Sequence, residues 1–119
     1  MVDTVKRLLL VSSGIGIEQL NDMVFSMGGV MIPAHIDRPS YSVISNLGGI
    51  PAEIQTEFIE IHDEEQAARL VPTYPELKKY RWIRTSDAHS LDQILEKEVL
   101  LELRDKSIES LFEFLSHKA

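Results

Sequence analysis

The stretch Gly28-Gly29-Val30-Met31-Ile32-Pro33-Ala34-His35-Ile36-Asp37 opens on two glycines, runs through an apolar segment and ends in His and Asp. A continuous apolar run, as opposed to an alternating one, suits a strand buried on both faces, which is the habit of parallel sheets. Pro33 stands near the end of the run, where a missing N–H matters less. A second stretch repeats the design: Tyr80-Arg81-Trp82-Ile83-Arg84-Thr85 reads as a strand and is followed by Ser86-Asp87-Ala88-His89-Ser90.

Working outward, strand-like and helix-like segments alternate, the pattern of βα units as opposed to a sandwich or a bundle. Lys6 to Ser12 reads as a short strand. Gly16 to Met27 places Ile17, Leu20, Met23, Val24 and Met27 on one helical face, and Gly28-Gly29 forms its stop. After the apolar run, His35 to Pro39 is expected to loop, Ser40 to Leu47 to form a short helix, and Gly48 to Pro51 to turn before a second helical turn. Glu57 to Ile61 is the next strand, ended by His62-Asp63. Asp63 is placed to cap a helix whose first turn carries Glu64 and Glu65, and Pro72 prevents continuation beyond Val71. Ser90 and Gln93 have capping-box spacing ahead of a short helix over Leu91 to Leu95. Val99 to Leu103 is a last strand, and Ser107 starts a helix with Ile108, Leu111, Phe112 and Leu115 on one face. The expected fold is therefore α/β with four or five mostly parallel strands and flanking helices in a single domain over residues 1–119.

Composition narrows the function. The 119 residues suit one core, and 44% hydrophobic with 26% charged residues is the balance of an ordinary soluble globular domain. No apolar run approaches the ~18 residues a membrane span needs. The segment Met1 to Arg7 and the short apolar stretch behind it lack a signal-peptide cleavage pattern, so a cytoplasmic location is expected. Zero cysteines exclude disulfides, thiolate zinc sites, iron–sulfur clusters and thiol nucleophiles, which leaves His, Asp and Glu to hold any metal. A net charge of −7 repels polyanions and argues against nucleic acid as a partner.

His35-Ile36-Asp37 and Asp87-Ala88-His89 both follow directly on a predicted strand, at the end where parallel α/β folds bind ligands. Residues two apart in extended chain point to the same side, so Asp87 can converge with His89, and His35 with Asp37, as a pair of metal ligands. Each pair taken alone is equally at home as a helix cap or loop former. Glu60 and His62 share the spacing at the end of the middle strand. Arg38 and Arg84 flank the histidine motifs and could fork onto a phosphate or pair with surface carboxylates. Gly14-Ile15-Gly16 lacks the third glycine, Gln19 standing in its place, and no P-loop Lys follows; Ser12-Ser13-Gly14 has no nucleophile-elbow pattern. Trp82 and Phe58 read as core residues, and His117, near the C-terminal end, as inert.

On GGVMIPAHID and RTSDAHS the chain resembles the polymerase and histidinol phosphatase (PHP) domain, whose third and fourth motifs end strands in Ala-His and Ser-Asp-Ala-His. The stretch from Ser12 through Asp63, with PSYSVISNLGGIP, is further similar to the C-terminal half of a bacterial PHP-domain phosphoesterase, so that nearly the whole chain is covered. The resemblance implies a distorted (βα)7 barrel whose strand ends hold two or three Zn, Mn or Fe ions that activate water for phosphoester hydrolysis. It implies His35, Asp87 and His89 as metal ligands, with Asp87 also catalytic as a bridging group or proton acceptor. Asp37, Arg38, Glu60, His62 and Arg84 would be weaker phosphate or supporting contacts. The chain departs from the pattern at His35-Ile36, where most relatives have His-Pro, and it has no His before residue 35, so the first His-x-His motif is missing.

A full barrel needs over ~200 residues, and 119 supply about its last four strands. The expectation is a partial barrel, either a fragment of a longer polypeptide or a natural short chain without the catalytic half. Such a chain is a hydrolase only when the missing half is supplied, with a small phosphorylated molecule as substrate; alone it would be a degenerate regulatory or interaction module. Open strand edges favour homo-oligomers, with Leu8-Leu9-Leu10-Val11 as the expected contact.

Overall fold

The computed structural model describes residues 14–40, 42–52, 54–94 and 99–116. The strand expected at Lys6 to Ser12, the contact expected at Leu8 to Val11, and His117 lie outside the described residues. Within them the chain forms helix α1 (Ile17–Ser26), helix α2 (Val43–Leu47), strand β1 (Phe58–Ile61), helix α3 (Glu64–Leu70), a 3-10 turn (Pro75–Lys79), strand β2 (Arg81–Arg84), a 3-10 turn (Leu91–Gln93) and helix α4 (Ile108–Ser116).

The class is α/β. β1 and β2 pair in parallel, Phe58 opposite Arg81 and Ile61 opposite Arg84, and α3 lies in the connection between them. Among the described residues there are two ladder strands where four or five were expected. The apolar run after Gly29 is extended and lies against β1, but it joins at one residue only: Glu60 donates its N–H to the Pro33 carbonyl (2.9 Å) and accepts from the Ile36 N–H (2.9 Å). Both defects have a cause in the sequence. In a parallel register the Phe58 carbonyl would accept from residue 33, which as proline has no N–H, and the Thr56 hydroxyl donates to that carbonyl instead (3.0 Å). Ahead of it, His35 takes φ 28°, so the returning donor comes from residue 36, where a regular ladder would use residue 35. Val99 to Leu103 likewise forms no ladder, and its Leu100 is 84% exposed.

Ile59 and Ile61 project from one face of β1 into a core with Ile36, Ile44, Ala67 and Leu77. Phe58 projects from the other and meets Phe114 of α4 at 5.2 Å between ring centroids. Burying such a side chain contributes about 2 kcal/mol, so this four-residue strand, covered on both faces, is the anchor of the fold. Trp82 packs at the edge of the core and donates its indole N–H to the Leu77 carbonyl (3.0 Å).

The helix ends follow local chemistry. Gly28 at φ 80° terminates α1 with a Schellman pair, Gly28 N–H to the Phe25 carbonyl (3.1 Å) and Gly29 N–H to the Val24 carbonyl (2.9 Å). The Asp63 carboxylate accepts the Gln66 N–H and caps α3, as expected. α2 begins later than Ser40, at a Ser42–Ser45 capping box, and no second helical turn follows Gly48 among the described residues. The Ser90–Gln93 box does not form, since Gln93 Oε1 accepts the N–H of His89 (2.8 Å).

The faces of α1 and α4 differ from expectation. α1 docks through half-buried Ile17 and Val24 and through Asn21, which is fully buried and accepts the Gln55 N–H, while Leu20, Met23 and Met27 are exposed. α4 turns Ser110 and Phe114 inward and leaves Ile108 and Phe112 exposed. Apolar periodicity located both helices, but a buried polar residue, Asn21 or Ser110, set their rotation. No helix among the described residues is long and apolar enough to cross a membrane.

Candidate functional site

The polar residues that follow β1, β2 and the extended run surround a cavity of about 850 Å³ at the C-terminal end of the parallel strands. His35, Arg38, His62, Asp87 and His89 all line it. Five of the eight residues singled out in the sequence are thus brought together.

Two of them, His35 at φ 28° and Asp87 at φ 48°, are the non-glycine residues with positive φ among the described ones. A left-handed backbone costs an L-residue roughly 1–2 kcal/mol and persists only where the surroundings enforce it. Both positions terminate an extended segment, and both deliver their side chains to the same cavity. Charge pairing joins the loops, because Arg38 Nη2 lies 3.6 Å from Asp87 Oδ2. That distance, with side chains 38% and 26% exposed, is a loose contact.

The imidazoles differ in their anchoring. His89 is exposed, and its Nδ1 lies 2.8 Å from the Asp87 carbonyl oxygen. A carbonyl only accepts, so Nδ1 carries the proton and Nε2 presents its lone pair, the arrangement that orients a metal-binding histidine. His35 and His62 are half-buried, and each keeps a buried Nδ1 with no hydrogen-bond partner; the Nε of Arg38 is in the same condition. Unpaired buried donors and acceptors are rare because each costs about 1–3 kcal/mol, and three of them at one cavity indicate groups waiting for a ligand.

The other three candidates lie in the walls. Asp37 is buried, and its carboxylate accepts the backbone N–H groups of His62 (2.9 and 3.1 Å) and Asp63 (2.7 Å). Glu60 Oε1 accepts from the Thr85 hydroxyl (2.7 Å), tying β1 to the segment after β2. Arg84 Nε reaches the His62 carbonyl at 3.4 Å. These three brace the strand ends. Gln93 also lines the cavity, and the hydrogen bond from the His89 N–H to its side chain fixes the far end of that loop. Its spacing from Ser90 suggested a helix cap, and the competing donor one residue earlier was the signal missed.

A divalent cation is the group the motifs imply. The donor chemistry fits a borderline metal: two imidazoles with unpartnered buried nitrogens, a third held in the ligating tautomer, and a carboxylate on one cavity wall. Among the described residues, no three His, Asp or Glu side chains gather closely enough to hold an ion as they stand. No family model, curated protein or solved structure matches the chain.

Proposed function

We propose that this cavity is part of a metal-dependent phosphoesterase centre, in a chain that forms part of a PHP-like barrel. The observation that carries the reading is the pair of strained residues, His35 and Asp87, presented to one cavity at the strand ends. His35, Asp87 and His89 would hold a Zn, Mn or Fe ion. When bound, the ion lowers the pKa of its water toward ~7 and positions the phosphate. Around it, Arg38 offers a planar fork for phosphoryl oxygens, at the expense of its loose pairing with Asp87. Asp87, released from Arg38, accepts a proton at a carboxylate oxygen as water attacks phosphorus, and the ester P–O bond breaks to release the alcohol. The substrate class is a small phosphorylated molecule.

With three ligands and no His ahead of residue 35, the chain alone holds an ion too loosely for rapid turnover. The absence of a converged trio favours a second reading, a non-catalytic metal-binding or regulatory module on the same fold. Calorimetric titration with Zn²⁺ alone, combined with a Mn²⁺- or Zn²⁺-supplemented assay on an aryl phosphate ester, tests both. Zn²⁺ binding that is lost in His35→Ala and Asp87→Ala, with almost no turnover by the chain alone, is expected. Hydrolysis at ordinary enzymatic rates that His35→Ala leaves unchanged places the chemistry elsewhere and refutes the site. Zn²⁺ binding with no hydrolysis, even when a polypeptide carrying the missing ligands is added, favours the module.

A further inference from the structure

We infer that Asp37 is a positioning residue for this site, setting the separation of His35 and His62 through the backbone it holds. The inference rests on the reading above for what the site does, but its geometry is independent of any metal. Asp37 is 8% exposed, lies two residues after His35, and does not line the cavity. Its carboxylate collects the two N–H groups that follow the last residue of β1, those of His62 and Asp63. Asp63 is at the same time the cap of α3.

One buried carboxylate therefore clamps three elements, namely the loop that carries His35, the end of β1 that carries His62, and the start of α3. Charge-assisted bonds to backbone N–H groups are short and directional, and these are 2.7 to 3.1 Å. The clamp also accounts for the strain at His35. With the Ile36 N–H held by Glu60 and the Asp37 side chain held at residues 62 and 63, the chain between the extended run and the loop can only turn through a left-handed residue. The backbone is closed once more by the Arg38 N–H, which donates to the His35 carbonyl (2.9 Å). Both imidazoles fixed in this way keep an unpartnered buried Nδ1. His89 hangs on a different loop and owes nothing to Asp37.

Asp37→Asn keeps the shape and one acceptor oxygen but loses the charge and the second oxygen, and Asp37→Glu keeps the charge on a longer stem. Two readouts apply to the folded chain: Zn²⁺ affinity by calorimetry, and the ring ¹⁵N resonances of the histidines in metal-free protein. In Asp37→Asn we expect the His35 and His62 ring signals to shift and broaden while those of His89 stay in place, and Zn²⁺ affinity to fall about 10- to 100-fold, with partial recovery in Asp37→Glu. A folded Asp37→Asn with unmoved His35 and His62 rings overturns the inference, as does undiminished Zn²⁺ affinity. Should the wild-type chain bind no Zn²⁺, the metal reading fails and the ring signals alone decide the role of Asp37.

Discussion

The loops after His35 and after β2 carry the same kind of residue in the same strained conformation and are built in opposite ways. The first is braced at every step: Arg38 N–H to the His35 carbonyl, the Asp37 carboxylate to two backbone N–H groups, and the Ser42 hydroxyl to the Arg38 carbonyl (3.2 Å). The second leaves β2 through two firm contacts, Thr85 N–H to the Ile61 carbonyl (2.9 Å) and the Thr85 hydroxyl to Glu60. Beyond Thr85 the bonds given above are local, within the loop or to Gln93, apart from the loose Arg38–Asp87 pair. One wall of the cavity is thus preorganised and the other adjustable. A site that takes up an ion or a phosphate uses both, a fixed imidazole to define position and a movable carboxylate and imidazole to close on it.

The sharpest way to break this comparison is to delete the carboxylate from each loop. Asp37→Ala leaves two buried backbone N–H groups without an acceptor, at about 1–3 kcal/mol each, so a loss of about 3 kcal/mol in urea unfolding is expected. Asp87→Ala removes a half-exposed ion pair at 3.6 Å and should cost at most about 1 kcal/mol. Equal losses for the two variants would show that the loops are braced alike.

A smaller effect comes from relieving the strain. Glycine takes positive φ without the Cβ penalty, so His35→Gly should leave stability level or raise it by up to about 1 kcal/mol while removing the ring from the site. Asp87→Gly should gain less, because Asp is among the residues that tolerate left-handed backbone. A loss of more than about 1 kcal/mol in His35→Gly would mean that the ring itself, and not the clamp, holds the loop. Stabilisation together with lost Zn²⁺ binding is the trade expected of a functional residue.

How far the sequence led can be judged on the same two loops. Both strand ends, the Asp63 cap, the Gly28 stop and the meeting of His35, Asp87 and His89 at one cavity were readable, because each rests on local chemistry or on the rule that ligands gather at the C-terminal ends of parallel strands. The role of Asp37 was not. Its spacing from His35 suggested a shared ligand pair, whereas the N–H groups it holds belong to residues 62 and 63, and no local pattern announces a partner that distant. The run from Val30 to Ala34 was misjudged for a related reason. Its apolar character is real, but a ladder needs donors, and Pro33 and the turn at His35 remove them.

The weakest expected effect lies at the opposite end of the sheet and serves as a control on the loops. Tyr80 immediately precedes β2, and its phenol is pushed above the ordinary value of about 10, first by burial and then by the negative charge of Glu76. A raised pKa in the folded chain means that folding favours the protonated phenol. That contribution is fully present below about pH 10 and is lost as pH rises through the higher folded value. Stability of the wild-type chain should therefore fall more steeply above about pH 10 than that of Tyr80→Phe, which has no proton to lose. Parallel curves for the two proteins in urea unfolding from neutral to alkaline pH would remove Tyr80 as the cause. Because this phenol sits at the strand starts, the stability gap between Asp37→Ala and Asp87→Ala should be the same with Tyr80 or Phe at that position. A gap that changes would mean that the braced loop draws its rigidity from the whole sheet and not from the carboxylate that holds it.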